Sequence, residues 1–202
     1  MNDLLRKNPT QERSRRTIET ILDVTAQILS EEGSKRLTTN YLAQRAGLSI
    51  GTVYQYFTDK TAIIMALVER QREETGCVID ALIRRNESLC TAEKVRLIVR
   101  ALHHAFAMHR LPEQKLVRAL IQATAEHGLP TPSGYIAQVI VDIWMTSEDR
   151  TLSLNSSEMF VLVHMLTEVM RQAALRATPL LGSEEFENAV LRMVMGFMEK
   201  KE

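Results

Sequence analysis

Apolar residues recur at intervals of three and four along most of the chain, which is the spacing of amphipathic α-helices. In the first such stretch, residues 10–32, they share one face, and Gly33 then ends the pattern. The same spacing predicts a long helix over residues 59–86, and a later helix that begins at Pro132 and carries Trp144. About nine helices are predicted in all, so the expected fold class is all-α.

Two short helices joined by a glycine are predicted within residues 38–60, which read TTNYLAQRAGLSIGTVYQYFTDK. The first is predicted over residues 40–46 with Thr39 as its cap, and the second follows with Ser49 as its cap. Gly47 lies between them, where a sharp turn favours the left-handed backbone that glycine adopts cheaply. This is the format of a helix-turn-helix, which places its second helix in the major groove of DNA.

The second of these helices is predicted to present a row of exposed side chains to DNA. Gln55 can make a bidentate contact to adenine, and Ile50 can pack on a thymine methyl group. Hydroxyl groups can donate to phosphate oxygens, and Gly51 lets the helix backbone approach the DNA closely. The predicted DNA-binding residues are Thr39, Ser49, Ile50, Gly51, Thr52, Tyr54, Gln55, Tyr56 and Lys60.

The run AGLSIGTVYQYFTDK resembles the DNA-binding signature of the TetR-type bacterial transcriptional repressors, in which Gly-Thr-Val-Tyr-x-Tyr-Phe is followed by Lys. The segment ILDVTAQILSEEG also resembles the first helix of that family, so the similarity covers residues 16–67. Ile50 departs from the pattern, because such repressors often carry a basic residue there. The resemblance implies an N-terminal three-helix DNA-binding domain and a helical C-terminal domain that dimerises and usually binds a small ligand.

This resemblance divides the chain into a DNA-binding domain, residues 10–58, and a ligand-binding and dimerisation domain, residues 59–202. Small-molecule sites are usually apolar cavities with a few polar groups. Such a cavity could be lined by Met165 together with seven other large side chains and one threonine of the predicted helices. Core packing is the alternative for each of them. The candidate ligand-binding residues are Leu102, Phe106, Leu120, Thr124, Tyr135, Trp144, Phe160 and His164.

The last two predicted helices, residues 156–177 and 183–200, are apolar on more than one side. A helix of this kind must bury a second face against something. A homodimer built from two such helices of each copy satisfies this requirement, and its two-fold axis would match a palindromic operator. The alternative is that all of these faces belong to one intramolecular core.

Charge and composition fit a DNA-binding protein that is neither exported nor embedded in a membrane. The net charge is zero, but residues 1–60 carry nine Lys and Arg against seven Asp and Glu. The longest apolar run, residues 62–68, is far too short to span a bilayer, and the N-terminus has no apolar signal region. Cys77 and Cys90 have neither metal-ligand nor disulfide-framework spacing. A cytoplasmic location is expected, with no metal, cofactor or membrane partner.

The sequence also contains one enzyme motif, which offers an alternative interpretation of the same residues. Residues 47–51, GLSIG, satisfy the G-x-S-x-G pattern of hydrolases, with Ser49 as the nucleophile. That chemistry needs a buried strand before the serine, whereas the preceding residues are polar with a helical pattern. The predicted function is therefore a non-enzymatic repressor that a small, apolar effector releases from double-stranded operator DNA.

Overall fold

The computed structural model describes residues 12–86, 88–107, 111–126, 155–176 and 178–198. These residues form eight α-helices, and the predicted helix that begins at Pro132 lies outside them. The helices are α1 (Glu12–Glu31), α2 (Thr39–Arg45), α3 (Ile50–Tyr56), α4 (Lys60–Arg85), α5 (Thr91–Ala107), α6 (Leu111–Glu126), α7 (Ser156–Leu175) and α8 (Glu184–Met198). The predicted all-α fold is confirmed.

The helix ends agree with the sequence pattern to within two residues wherever both ends are described. The helix α4 runs without a break through Gly76, and this glycine is buried. Asn155 begins α7 with a capping box, a local signal that the sequence analysis did not use. Its Oδ1 accepts from the backbone N–H groups of Ser157 and Glu158, both at 2.9 Å, and Glu158 accepts in return from the Asn155 N–H at 2.8 Å.

The described helices divide into two compact units. The first contains α1, α2, α3, the part of α4 up to Glu73, and α6. The second contains the remainder of α4, from Glu74, together with α5, α7 and α8. The functional division at residue 59 stays a prediction, because compact units group helices by their packing and not by their function.

The first unit is built around one apolar face of α1, and most of that face was predicted. Ile18, Ile21 and Leu22 are buried, as is Thr25, whose hydroxyl donates to the Ile21 carbonyl at 2.7 Å. The face of α6 packs on the same core, which the sequence did not indicate. The buried members contributed by the other elements are Leu37, Leu42, Ala43, Val53, Tyr56, Phe57, Ile63, Ile64, Ala66, Leu67, Leu120 and Ala123.

The second unit has a separate core, in which α5 contacts both α7 and α8. Burial of a leucine, valine or isoleucine side chain contributes roughly 1.5–3 kcal/mol, so this set is ample to hold four helical segments together. Leu191 of α8 is also buried in this core. Its buried members are Ile79, Val95, Ile98, Val99, Leu102, Leu162, Leu166, Met170, Val190, Leu191 and Val194.

None of the described helices is long and apolar enough to cross a membrane. Within the described part of the chain, no three His, Cys, Asp or Glu side chains are grouped so that they could hold a metal ion. Cys77 and Cys90 are both free thiols on the surface.

Candidate DNA-binding interface

The turn between α2 and α3 has the backbone geometry that its glycine predicted. Gly47 has φ of +65°, in the left-handed region, and its N–H donates to the Gln44 carbonyl at 3.2 Å. The Leu48 N–H donates to the Ala43 carbonyl at 2.9 Å, which closes the end of α2. This closure fixes the direction in which α3 leaves the turn.

The cap of α2 is Thr38, and the prediction that Thr39 has this role is wrong. Thr38 has an extended backbone and its side chain accepts from the Tyr41 N–H at 3.1 Å, whereas Thr39 is the first residue of the helix. The Thr39 hydroxyl is thereby available to α3, where its Oγ1 lies 3.2 Å from the Oη of Tyr54. Two hydroxyl groups from different helices thus meet at one place on the surface.

The cap of α3 is Ser49, as predicted. Its Oγ accepts from the Thr52 N–H at 3.0 Å and lies 2.7 Å from the Thr52 Oγ1. Because α2 and a turn precede Ser49, the strand that a hydrolase nucleophile requires is replaced by helix. The hydroxyl groups of Ser49 and Thr52 orient each other at the N-terminal end of α3.

The helix α3 has one buried and one exposed face. Val53 and Phe57 have no exposed surface, while Ile50 is 37% exposed, Tyr54 is 42% exposed and Gln55 is on the surface. The prediction that Tyr56 is exposed is wrong, since only 6% of its surface is accessible. Tyr56 follows Val53 by three residues and therefore shares its face, which is turned to the core.

Gly51 lies on α3 without a structural need for glycine in the protein itself. A Cβ built at this position would have the Oγ of Ser49 as its nearest neighbour, at 3.7 Å, an ordinary contact distance. Its φ does not lie in the left-handed region, where only glycine is favoured. Glycine within a helix costs roughly 0.5–1 kcal/mol relative to alanine, so an advantage elsewhere must offset it.

Lys60 begins α4, immediately after the helix-turn-helix, and is partly exposed. The preceding Asp59 accepts from the Ala62 N–H at 2.9 Å through Oδ1 and from the Thr58 hydroxyl at 3.2 Å through Oδ2. Asp59 therefore caps α4 and orients its first turn. This first turn includes the predicted phosphate-binding Lys60.

A polar cluster between α1 and α2 was missed from the sequence. Glu32 accepts from the Tyr41 hydroxyl at 2.9 Å and from Arg45 at 2.8 Å, and Glu31 lies 3.4 Å from the same guanidinium. Hydrogen bonds to Tyr41 and then to Glu31 raise the pKa of Arg45. The partners are nine to fourteen residues apart along the chain, so no helical spacing reveals them.

The N-terminal arginines lie at the start of α1. Arg13, Arg15 and Arg16 are exposed, and Arg16 pairs with Glu12 at 3.2 Å one turn earlier on the same helix.

The helix-turn-helix and the helices beside it are similar in sequence to regions of known proteins. A sequence model described as bacterial regulatory proteins, tetR family, matches residues 21–67, which contain most of α1, all of α2 and α3, and the start of α4. The HTH-type transcriptional repressor KstR of Mycolicibacterium smegmatis is 25% identical over 187 residues, which cover 82% of this chain and 87% of KstR. Residues 21–67 of this chain therefore carry the DNA-binding region of the TetR family.

Other similar proteins match different lengths of this chain. The nucleoid occlusion factor SlmA of Haemophilus ducreyi is 33% identical over 91 residues, so the match spans 45% of this chain and only 44% of SlmA. A crystal structure of a TetR-family regulator from Mesorhizobium loti has a TM-score of 0.67 at 20% identity and covers 93% of this chain and 97% of that one. The TetR-family match makes this protein a DNA-binding transcriptional regulator, and the matched family and KstR are regulators rather than enzymes.

The predicted ligand-binding residues that the structure describes belong to both units, and their role stays a prediction. Leu120 is buried in the core of the first unit, because the apolar face of α6 packs there, and Thr124 of α6 is partly buried. Leu102 is buried in the core of the second unit. Tyr135, Trp144 and the side chain of Phe106 lie outside the described residues.

Two further ligand candidates lie on the surface of α7. Phe160 is 63% exposed, and its ring stacks on His164 with 4.0 Å between ring centroids. His164 is exposed and its Nδ1 lies 2.8 Å from the Phe160 carbonyl oxygen. A ligand-binding role for Phe160 and His164 stays a prediction, and in the single chain the face of α7 that carries them points to solvent. Met165, beside them, is partly buried.

Proposed function

We propose that this protein is a repressor that binds a palindromic operator as a homodimer. Each copy places α3 in a major groove, and the two half-sites lie one helical turn, about 34–36 Å, or a multiple of it, apart. The observation that carries the proposal is the two-faced α3, in which Val53 and Phe57 are fixed in the core while Ile50, Tyr54 and Gln55 face outward. A helix that is held rigidly by its buried face, and that exposes polar and apolar side chains on the other face, is suited to reading a DNA sequence.

The exposed groups of α2 and α3 divide into two roles. Hydroxyl groups of Thr39 and Tyr54, together with those at the N-terminal end of α3, donate to phosphate oxygens and fix the register. Gln55 and Ile50 reach base edges, where an amide reads adenine and an apolar side chain contacts a thymine methyl group. The ring of Tyr56 is part of the core, so only its hydroxyl group has a place in the proposed contact.

We expect Gln55→Ala to relax the sequence preference at one base pair of each half-site. Loss of a bidentate contact to adenine costs roughly 1–3 kcal/mol of discrimination against the wrong base. Competition binding with operators substituted at each position measures this preference. An unchanged preference at every position would exclude Gln55 from base reading.

We expect Lys60→Ala to weaken binding to all DNA sequences alike. Removal of one phosphate contact lowers the slope of log affinity against log salt by about one unit. Lys94→Ala, on α5 of the second unit, removes the same charge and serves as the control. Identical salt slopes for the two variants and the natural protein would show that Lys60 does not neutralise a phosphate.

The proposed dimer partner is a second copy that packs on the outer face of α7 and α8. Phe160 and Val161, at 63% and 40% exposed, are large apolar side chains left uncovered on α7. On α8, Ala189 and Gly196 are exposed, and a Cβ built at Gly196 has no atom within 4 Å. A helix-interior glycine with open space around it permits close approach by another helix.

The proposed effector is a small, mostly apolar molecule that binds outside the helix-turn-helix and releases the operator. The helix α4 begins at Lys60 and continues from the first unit into the second, so it is the connection through which a ligand could change the spacing of the two α3 helices. A coupling of about 1–3 kcal/mol is typical of such a response. Operator release on addition of apolar compounds, followed by fluorescence anisotropy, tests it.

A selection from random DNA duplexes with the purified full chain tests the proposed function as a whole. The expected product is a set of inverted repeats whose half-sites are separated by whole helical turns. Enrichment of single, unrepeated sites would contradict the dimer, and a failure to enrich any sequence at low salt would contradict specific binding.

A further inference from the structure

His103 of α5 is a buried titratable group that the DNA-binding function does not use. Its side chain is 3% exposed, and its Nε2 accepts a hydrogen bond from the backbone N–H of Gly182 at 3.0 Å. A backbone N–H can only donate, so Nε2 must be without a proton in this arrangement. The imidazole proton is therefore on Nδ1, which donates to the Oε2 of Glu187 at 3.3 Å.

The acceptor of that proton, Glu187 of α8, is itself held as a carboxylate. Its Oε1 accepts from the Nε of Arg100 at 2.8 Å, and only 14% of its side chain is exposed. Burial raises the pKa of Glu187, but hydrogen bonds from Arg100 and His103 outweigh this effect, so its pKa is lowered overall. Both nitrogens of a neutral His103 are thus satisfied, one by an acceptor and one by a donor.

The charged and ring groups that contact His103 or its partner Glu187 come from α5 and α8. From α8, besides Glu187, the Phe186 ring lies 5.6 Å away between centroids, and on α5 the ring of His104 lies 6.0 Å away. The cation of this cluster is Arg100 of α5, which pairs with Glu187 at 2.8 Å. Glu187 is therefore the acidic group that hydrogen-bonds to His103.

We propose that His103 is a pH-sensitive latch, which holds the turn between α7 and α8 while it is neutral and releases it when protonated. An imidazolium carries N–H groups on both nitrogens, so Nε2 would present a proton to the Gly182 N–H, and the hydrogen bond is lost. Gly182 has φ of +93°, and the turn beside it is closed by local bonds, from Leu181 to Thr178 and from Ser183 to Leu180. His103 thus ties this turn to α5 through its hydrogen bond with Gly182.

The consequence of release concerns the two helices that the turn joins. The helices α7 and α8 carry the proposed dimer face, so acidification would loosen the proposed dimer and weaken operator binding. This consequence rests on the proposed function, whereas the latch itself does not. A measurement at Gly182 therefore separates the two.

The test is amide hydrogen exchange at Gly182 in the full chain, recorded by NMR as a protection factor between about pH 8 and pH 5.5, the range in which histidines commonly titrate. We expect the protection factor to fall about ten-fold toward acidic pH, as one hydrogen bond is lost. In His103→Gln, an amide oxygen can accept the same bond without titrating, so protection should stay constant over this range. Equal protection of the natural protein at both pH values, or the same fall in His103→Gln, would overturn the proposal.

A second variant keeps the test decisive if His103→Gln does not fold. In Glu187→Gln the side-chain carbonyl still accepts from Nδ1, but the negative charge that favours the imidazolium is gone. Release of the Gly182 N–H should then require a lower pH than in the natural protein. Release at the same or a higher pH would show that His103 protonation does not control the contact.

Discussion

Replacement of Gly51 by alanine is expected to stabilise the folded protein and to weaken its binding to DNA. The free protein has room for the methyl group, and replacement of a glycine in the first turn of a helix by alanine gains at most roughly 0.5–1 kcal/mol. On DNA the same methyl group would stand between the backbone of α3 and the groove. An extra methyl group in a tight contact costs about 1–3 kcal/mol, which lowers affinity roughly five-fold to 150-fold.

The measurements are thermal or urea unfolding of the free protein and titration of operator DNA under identical salt. Gly47→Ala is the matched control, because its φ of +65° makes a side chain unfavourable although no atom lies within 4 Å of the added Cβ. That variant should lose about 1–2 kcal/mol of stability from backbone strain alone. If Gly51→Ala bound operator as tightly as the natural protein, the close approach of α3 would be disproved.

Phe160→Asp is expected to convert the proposed homodimer into a monomer and to reduce operator affinity. Phe160 is largely exposed within one copy, so its replacement removes little of that copy's own packing. In a dimer, however, a buried and unpaired carboxylate would oppose association strongly. Loss of the second DNA-binding half removes an avidity that commonly amounts to about 10²–10⁴-fold.

Sedimentation velocity and operator titration check this expectation together. Val78→Asp is a suitable control, since Val78 is also an exposed apolar residue of the second unit, at 57%, but lies on α4. It should leave both the oligomeric state and the DNA affinity unchanged. A Phe160→Asp protein that remains dimeric would remove α7 from the proposed interface.

The local features of the helix-turn-helix could be predicted because they depend on near neighbours in the sequence. The left-handed Gly47 and the Ser49 cap follow from the residue types and their spacing. The two errors there are a helix cap assigned one residue too late and a side chain assigned to the wrong face of α3. Thr38 rather than Thr39 caps α2, and Tyr56 turns inward because it follows the buried Val53 by one helical turn.

Features that join distant parts of the chain could not be predicted. The packing of α6 on α1 places Leu120 in the first core, and nothing in the pattern of α6 distinguishes that core from the second. Phe160 was assigned to a cavity because an aromatic residue on an apolar helix suits either an interior or an interface. The exposure of Phe160 and the burial of His103 both depend on contacts between distant parts of the chain, which the neighbouring residues do not reveal.

The return of α6 to the first unit has a consequence for how the molecule can be divided. The chain leaves the first unit within α4, builds α5 in the second, and then contributes Leu120 and Ala123 to the first core before it finishes in the second. No single cut therefore yields a complete DNA-reading module. An N-terminal fragment ending at Glu73 would leave the side of α1 that α6 covers bare to water. An exchange of C-terminal segments between two such regulators would have to keep α6 together with its own α1. A fusion made after Glu73 would instead join α1 to a foreign α6.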